Sequence, residues 1–298
     1  MNTFEAMQIF VRVAEAGSFI AVANELQVAR SVVTRQVAAL EKHLGTKLIT
    51  RSTRSLNLTA AGAAYLEKCR VILNLVDAAE SGLQSEKGQA RGRIRLGLPL
   101  SFGLEVLMPL LLDFAQAHPH MELHMDLSDQ RSNLVEEGMD VSIRVTSHLQ
   151  DTDIVRRLGY CRLMTLASPD YWNLHGVPRE PQTLVQHEAL VYSFGGQGMT
   201  WRYRVAGQDL SLPVRGRIVA NNGAALMQAA ARGMGVTVQP DFIAAPWLAR
   251  GEVVEVLREC APEPLGIYAV LPSNRYVPQR VNLLIEHLAS ALSATSGL

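Results

Sequence analysis

Apolar residues recur every three or four positions from Phe4 to Ala16, with Phe4, Met7, Ile9, Phe10, Val11 and Val13 on the apolar side, which predicts an amphipathic first helix. Ser18 reads as the N-cap of a short second helix carrying Ala21, Val22 and Leu26. Gln27-Val28 then reads as a turn, and a third helix is predicted from about Ala29 to His43. On it Val33, Val37, Leu40 and Leu44 make one buried face. The opposite face carries Arg30, Ser31, Thr34, Arg35 and Ala38, which are small or hydrogen-bonding side chains with two guanidinium groups. After Gly45 the segment KLITRSTRSLNLT alternates as a β-hairpin does, with Lys47, Arg51 and Arg54 around a Ser-Thr tip. This block is assigned residues 1–58.

A long helix is predicted over 59–87. Gly62, Leu66, Cys69, Leu73, Val76, Glu80 and Leu83 alternate by four and three along it, a heptad seam broken only by Glu80, and Tyr65, Ile72, Leu75 and Ala79 add a second apolar stripe. An apolar helix of this kind between two domains pairs with a second copy, or is an ordinary core helix. Glu86 to Gly92 is a polar hinge. From residue 91 strands and helices alternate: strands at Arg93–Leu98, Met121–Leu127 and Val141–Val145, helices at Leu104–Ala117 and Arg131–Glu137. That alternation predicts a parallel sheet flanked by helices. Ile154–Ala167 reads as a long strand crossing into a second lobe, built with the strand Ala189–Tyr192, the segments Trp201–Leu212 and Val214–Val219, and the helix Gly223–Arg232. The chain returns along Pro264–Leu271 and ends in a helix from about Pro278 to Leu292. The lobes are assigned to about 91–161 with 268–298, and 162–267.

The 298 residues suffice for two or three domains, and 48% of them are hydrophobic. Net charge is zero, with 28 basic and 28 acidic residues, but it is divided unevenly: residues 1–60 hold seven Lys/Arg against four Asp/Glu. A modestly basic head on a slightly acidic body fits nucleic-acid binding by one domain only. The N-terminus opens directly on an amphipathic helix without a secretory pattern, and no apolar run is expected to approach the roughly 18 residues that span a bilayer. Cys69, Cys161 and Cys260 form no CxxC pair or Cys/His cluster, so neither a metal site nor a disulfide framework is expected, and a reduced cytoplasmic protein is the simplest account. His118 and His120 flank Pro119 in what reads as a turn, and Gly195-Gly196-Gln197-Gly198 reads as a loop. No GxSxG, HExxH, P-loop or GxGxxG stands in a suitable context, so no catalysis and no cofactor are expected.

A helix presenting Arg30, Ser31, Thr34 and Arg35, followed at once by a basic hairpin, is the arrangement of a winged helix-turn-helix lying in a DNA major groove. The run SFxxxAxxLxVxxSxVxRQVxxLExxLGxxLxxRSxRxLxLTxAG, from Ser18 to Gly62, resembles the N-terminal domain of LysR-type bacterial transcriptional regulators. This chain departs from the family pattern in having Ala29 where a Ser usually caps the recognition helix, and Arg30 where Gln is frequent. EEGMDVSIRV, ASPDYW and NNGAALMQAAARGMGVTVQPDF look, more loosely, like segments of the same family's effector domain. The resemblance implies a head of all-α winged helix-turn-helix type and a long linker helix, followed by an α/β two-lobed, periplasmic-binding-protein-like effector domain. It implies a homodimer or dimer of dimers that binds operator DNA with an inverted repeat and acts on the transcription machinery. Arg30, Ser31, Thr34 and Arg35 are then expected in the major groove, and Lys47, Arg51 and Arg54 on the DNA backbone.

In open α/β sheets small ligands bind beyond the carboxyl ends of strands, near helix N-termini. Ser101, Ser128, Thr146, Asn222 and Gln239 occupy such ends as hydrogen-bonding groups, with Phe102, and Phe194 or Trp201, as walls; alternatively each caps a helix or closes a turn. Helix N-termini favour an anionic effector. Two other classes fit parts of the pattern: a solute-binding protein explains the lobes and not the head, and an enzyme would need a reactive constellation that the sequence lacks.

Overall fold

The computed structural model describes residues 2–51, 56–84, 90–130, 134, 137–150, 153–193, 200–272 and 277–295. Contacts divide the chain into two compact units, the first holding Met1–Ala90 and the second most of the chain from Arg91 onward.

In the first unit α1 (Thr3–Ala16) is capped by Asn2, whose Oδ1 accepts from Glu5 N at 3.3 Å. Helix α2 (Phe19–Glu25) is capped by Ser18, whose Oγ accepts from Ala21 N at 3.2 Å. Gln27, at φ 54°, makes the left-handed turn into α3 (Arg30–Leu44). Phe10 and Val13 of α1, Val22 and Ala23 of α2, and Val33, Val37 and Leu40 of α3 form one core. Leu44 departs from the expected buried face. It is 36% exposed, and the inward position in that last stretch belongs to Glu41, which is 7% exposed.

Glu41 is buried because it holds the hairpin. Its Oε1 accepts from the amides of Leu48 (3.0 Å) and Ile49 (3.1 Å), and its Oε2 meets the Lys47 ammonium. β1 (Ile49–Arg51) then pairs antiparallel with β2 (Leu56–Leu58). Thr59 Oγ1 donates to Lys47 O at 2.7 Å and accepts from Gly62 N at 2.9 Å, which starts α4 (Ala60–Gln84) against the hairpin. Gly62 packs on the Leu48 carbonyl so closely that a Cβ there would collide with it.

The expected heptad seam is corrected in its first half. Gly62 is buried, and Leu66 and Cys69 belong to the core shared with α1, because α4 begins as a wall of the head. A core helix and a pairing helix show the same spacing. Farther along, Val71 (37%) and Ile72 (38%) are exposed.

The second unit contains two five-stranded sheets. The first has β3 (Gly92–Leu98) parallel to both β4 (Met121–Leu127) and β5 (Val141–Thr146). Its other two strands are β6 (Ile154–Cys161) and the return strand Leu265–Leu271, and the latter runs antiparallel to β5 and β6. The second has β7 (Leu163–Ala167), β8 (Ala189–Tyr192), Ile218–Ala220, Val236–Pro240 and Val254–Val256. In it β8 is parallel to Ile218–Ala220 and to Val236–Pro240, whereas β7 is antiparallel to Val236–Pro240 and Val254–Val256. The expectation of parallel sheets is therefore corrected: both are mixed, because strands carrying the chain between lobes enter each sheet against its parallel core. The single strand expected over Ile154–Ala167 is two strands broken at Arg162; the return strand, expected over Pro264–Leu271, is Leu265–Leu271, which moves the lobe boundary from 268 to 265. Of the helix expected over Arg131–Glu137, Leu134 and Glu137 lie in turns and the rest falls outside the described residues.

After β3 the chain forms α5 (Leu100–Ala117), an α-helix interrupted by a π turn at Gly103–Leu107. With 18 residues and mean hydropathy 1.4 it is long and apolar enough to cross a membrane by length and composition, which corrects the expectation that no run is. Here it is a lobe helix. Phe102, Leu107, Leu111 and Phe114 are buried, and His287 of the last helix (Gln279–Thr295) reaches Leu110 O at 3.0 Å. At the crossing, Arg162 N donates to Asp241 Oδ2 (3.1 Å) and Asp241 N donates to Arg162 O (2.9 Å).

Burial alone would raise the pKa of Glu41, but the Lys47 ammonium and the two amides outweigh it and hold the carboxyl below its ordinary 4.5. Glu41→Ala orphans two buried amides, so the head should lose about 1–3 kcal/mol in urea unfolding followed by circular dichroism. A depressed folded-state pKa stabilises fully above the unfolded value, and that contribution disappears as pH falls through the folded value. The gap between wild type and variant should therefore narrow as pH drops beneath 4.5.

Candidate functional site

On the head, the solvent side of α3 exposes Arg30, Ser31, Arg35 and Ala38, with Thr34 half-buried. These positions are open because Val33, Val37 and Leu40 take the inward side. Ala29 stands at the N-cap and makes no side-chain hydrogen bond, so the first-turn amides of α3 lack the acceptor that Ser or Asp would supply. That omission typically costs about 0.5–2 kcal/mol. Lys47 is exposed but paired with Glu41, so it already neutralises a buried carboxylate. Arg51 ends β1, opposite Leu56, and Arg54 falls outside the described residues.

In the second unit a cavity of about 780 Å³ opens between the two lobes. Of the six side chains expected there, Ser101, Phe102 and Gln239 line it. Gln239 is 1% exposed and its Nε2 donates to Thr237 Oγ1 at 2.8 Å. Phe102 packs edge-on against Phe242, with ring centroids 5.0 Å apart. Ser128, Thr146 and Asn222 are engaged locally instead. Ser128 Oγ accepts from Gln130 N (3.1 Å), Thr146 Oγ1 from His148 N (3.1 Å), and Asn222 Oδ1 from Ala225 N (3.1 Å) as the cap of the helix Gly223–Ala231. Trp201 borders the cavity, and Phe194, with the Gly195–Gly198 loop, falls outside the described residues.

The sequence did not single out His148, Tyr192, Arg202, Phe242 and Glu263, which also line the cavity. Arg202 lies on the strand Thr200–Val205, which pairs with Gln208–Pro213 as a hairpin. Trp201 and Tyr203 point into the lobe core, so Arg202 and Arg204 face away from it. That alternation was readable in TWRYRV, but which surface borders a cleft was not. Asp129 caps α5 by accepting from Leu100 N at 3.0 Å. Burial, and secondarily the Asp129 charge, push the Tyr192 hydroxyl up to about 12, so it remains a donor at neutral pH. Cys161, 4% exposed, is pushed up to about 12 by burial and then by Asp241, which keeps it a protonated, unreactive thiol. Among the described residues no cluster of His, Cys, Asp and Glu has the makings of a metal site.

The family model "Bacterial regulatory helix-turn-helix protein, lysR family" matches residues 4–63, and "LysR substrate binding domain" matches residues 87–293. An HTH-type transcriptional regulator of Haemophilus influenzae is 30% identical over 282 residues, which cover 94% of this chain and 98% of that protein. Another, from Xanthomonas campestris pv. campestris, is 33% identical over 290 residues, 96% of this chain and 84% of that protein. Among solved structures, CrgA, a LysR-type transcriptional regulator from Neisseria meningitidis, is 29% identical with a TM-score of 0.61, covering 97% of this chain and 98% of that one. With its head and its two-lobed unit each matched by the corresponding family model, this chain belongs to the LysR family of transcriptional regulators, which join a DNA-binding helix-turn-helix to an effector-binding domain.

Proposed function

We propose that α3 reads operator DNA through Arg30, Ser31, Thr34 and Arg35, and that the interlobe cavity holds the small-molecule effector. The observation that carries the DNA reading is the α3 face itself: two guanidinium groups and a hydroxyl exposed on one side of a helix whose other side is fixed in a core. A guanidinium forks onto guanine, and Ser or Thr reaches base edges or phosphate. The uncapped start of α3 favours a DNA phosphate there, which would supply the acceptor that Ala29 lacks. Arg51 and Arg54 grip the DNA backbone, and the hairpin tip enters the minor groove. Lys47 acts chiefly through Glu41, by holding the hairpin at the end of α3.

The protein acts in the cytoplasm as a homodimer, or a dimer of dimers, on an inverted repeat, and contacts the transcription machinery. Pairing runs through the exposed side of α4 that carries Val71 and Ile72, on turns whose Leu73 still packs against the head core. Effector regulation is linkage: a ligand that prefers one arrangement of the lobes shifts the subunits and hence half-site spacing or DNA bend. The cavity has the volume of a small-molecule site and mixes aromatic walls with a few polar groups.

Arg30→Ala should relax discrimination at one base pair of each half-site by about 1–3 kcal/mol, read from binding to a panel of single-base operator variants. Unchanged affinity and unchanged preference would remove Arg30 from the major groove. Arg54→Ala should instead weaken all sequences alike and lower the slope of log K against log salt by about 1. Ile72→Glu should shift sedimentation velocity from dimer toward monomer and weaken operator binding, while a dimer of wild-type strength would exclude this part of α4 as the pairing surface.

A further inference from the structure

Two acids on the cavity wall already have partners inside the protein. Asp129 accepts from Leu100 N at 3.0 Å, and Glu263 accepts from Arg204 Nη2 at 3.2 Å. Arg204 also meets Asp209 at 3.1 Å, so its charge is balanced twice. Arg202, two positions earlier on the same strand face, is different. Among the described residues its guanidinium reaches only an imidazole, with Nη1 2.9 Å from His148 Nε2. A guanidinium has donors and no acceptor, so in this contact the imidazole accepts. The contact joins the second lobe to the loop following β5 in the first. Among the described residues no carboxylate of the cavity wall pairs with Arg202, so this cation at the wall is a place for an anion.

The expected alternative, an anion at the N-terminus of α5, is disfavoured because the Asp129 carboxylate already occupies the Leu100 amide and would repel a second negative group. The rest of the wall sets the ligand's other end. Phe102 and Phe242 meet edge-on at 5.0 Å, and Val238 and Ile243 extend this apolar side. One guanidinium with no carboxylate partner among the described residues matches one carboxylate, and a 780 Å³ cavity with aromatic walls accommodates far more than an inorganic ion.

We infer that Arg202 anchors the carboxylate of an amphipathic organic acid whose apolar body lies against Phe102 and Phe242, with His148 as the second contact of the carboxylate or the group it displaces. The inference rests on the cavity being the effector site. Arg suits the role because its planar fork matches a carboxylate with two parallel hydrogen bonds, which Lys cannot reproduce.

The test is isothermal titration calorimetry of the full chain with benzoate, phenylacetate and hexanoate, each against the neutral amide with the same body. Carboxylates should bind at least about tenfold more tightly than their amides, reflecting the charge-assisted pair. Arg202→Gln should remove that preference and Arg202→Lys restore part of it, with melting temperatures reporting that both variants fold. Ser101→Trp, which fills the cavity, should abolish binding of either probe set. Amides binding as well as acids, or wild-type acid affinity in Arg202→Gln, would overturn the anchor while leaving the cavity as the ligand site, provided Ser101→Trp still abolishes binding. Acid binding that survives Ser101→Trp would overturn the cavity reading itself. Failure of every probe to bind would overturn the ligand class.

Discussion

The second unit turns on the reciprocal hydrogen bonds between Arg162 and Asp241. Arg162 is the break between β6 and β7, where the chain leaves one sheet for the other, and Asp241 opens the helix Asp241–Ala249. Each residue donates its backbone amide to the other, and the Arg162 guanidinium continues to Glu255, whose side chain is 7% exposed. The crossing is thereby tied to the second lobe. Phe242, one residue beyond Asp241, is carried to the cleft, where its ring meets Phe102 of the first lobe. The points fixed at this crossing thus place the Phe242 side of the interlobe cavity.

The first unit obeys an analogous constraint at Glu41. A carboxylate buried at the end of α3 is tolerable only because two amides and an ammonium surround it. The same contacts set the hairpin on the end of α3. Thr59 and Gly62 then lay the start of α4 on the hairpin, so helix, hairpin and linker are positioned by consecutive contacts over about one turn each. The linker is therefore part of the head before it is anything else, and among its described side chains Val71 and Ile72 are large apolar residues left exposed.

The cleft illustrates how electrostatics separates residues that sequence treats alike. Arg202 and Arg204 alternate with aromatic residues on one strand, yet Arg204 is neutralised by Asp209 and Glu263 while Arg202 reaches an imidazole across the cleft. Asp129 and Ser128 are adjacent at the end of one strand, yet the first caps α5 from the cavity wall and the second closes its own turn. Ser128, Thr146 and Asn222 are all hydrogen-bonding residues at strand ends, and each satisfies an amide within three residues of itself. Short polar side chains beside a turn have a local partner close at hand, and local closure competes with ligand binding.

The sequence by itself determined the element order, the helix-turn-helix with its hairpin, and the excursion of the chain into a second lobe and back. Those features rest on local signals: three- and four-residue apolar spacing from Phe4 to Leu40, the Ser18 cap, glycine at the end of α3, and strand-helix alternation after Arg91. It also supplied Ser101, Phe102 and Gln239 for the cavity, because strand ends in such sheets converge. What tertiary structure decided was everything that depends on a partner distant in sequence. Glu41 rather than Leu44 faces inward because an edge of the hairpin needs an acceptor there. Half of the heptad seam went into the head core because α1 lies beside it. Both sheets are mixed because the crossing strands run against their neighbours, and Arg202 meets His148 because two lobes bring residues far apart in the chain to one rim. Periodicity reports which face of an element is apolar, and only the packed chain determines what that face meets.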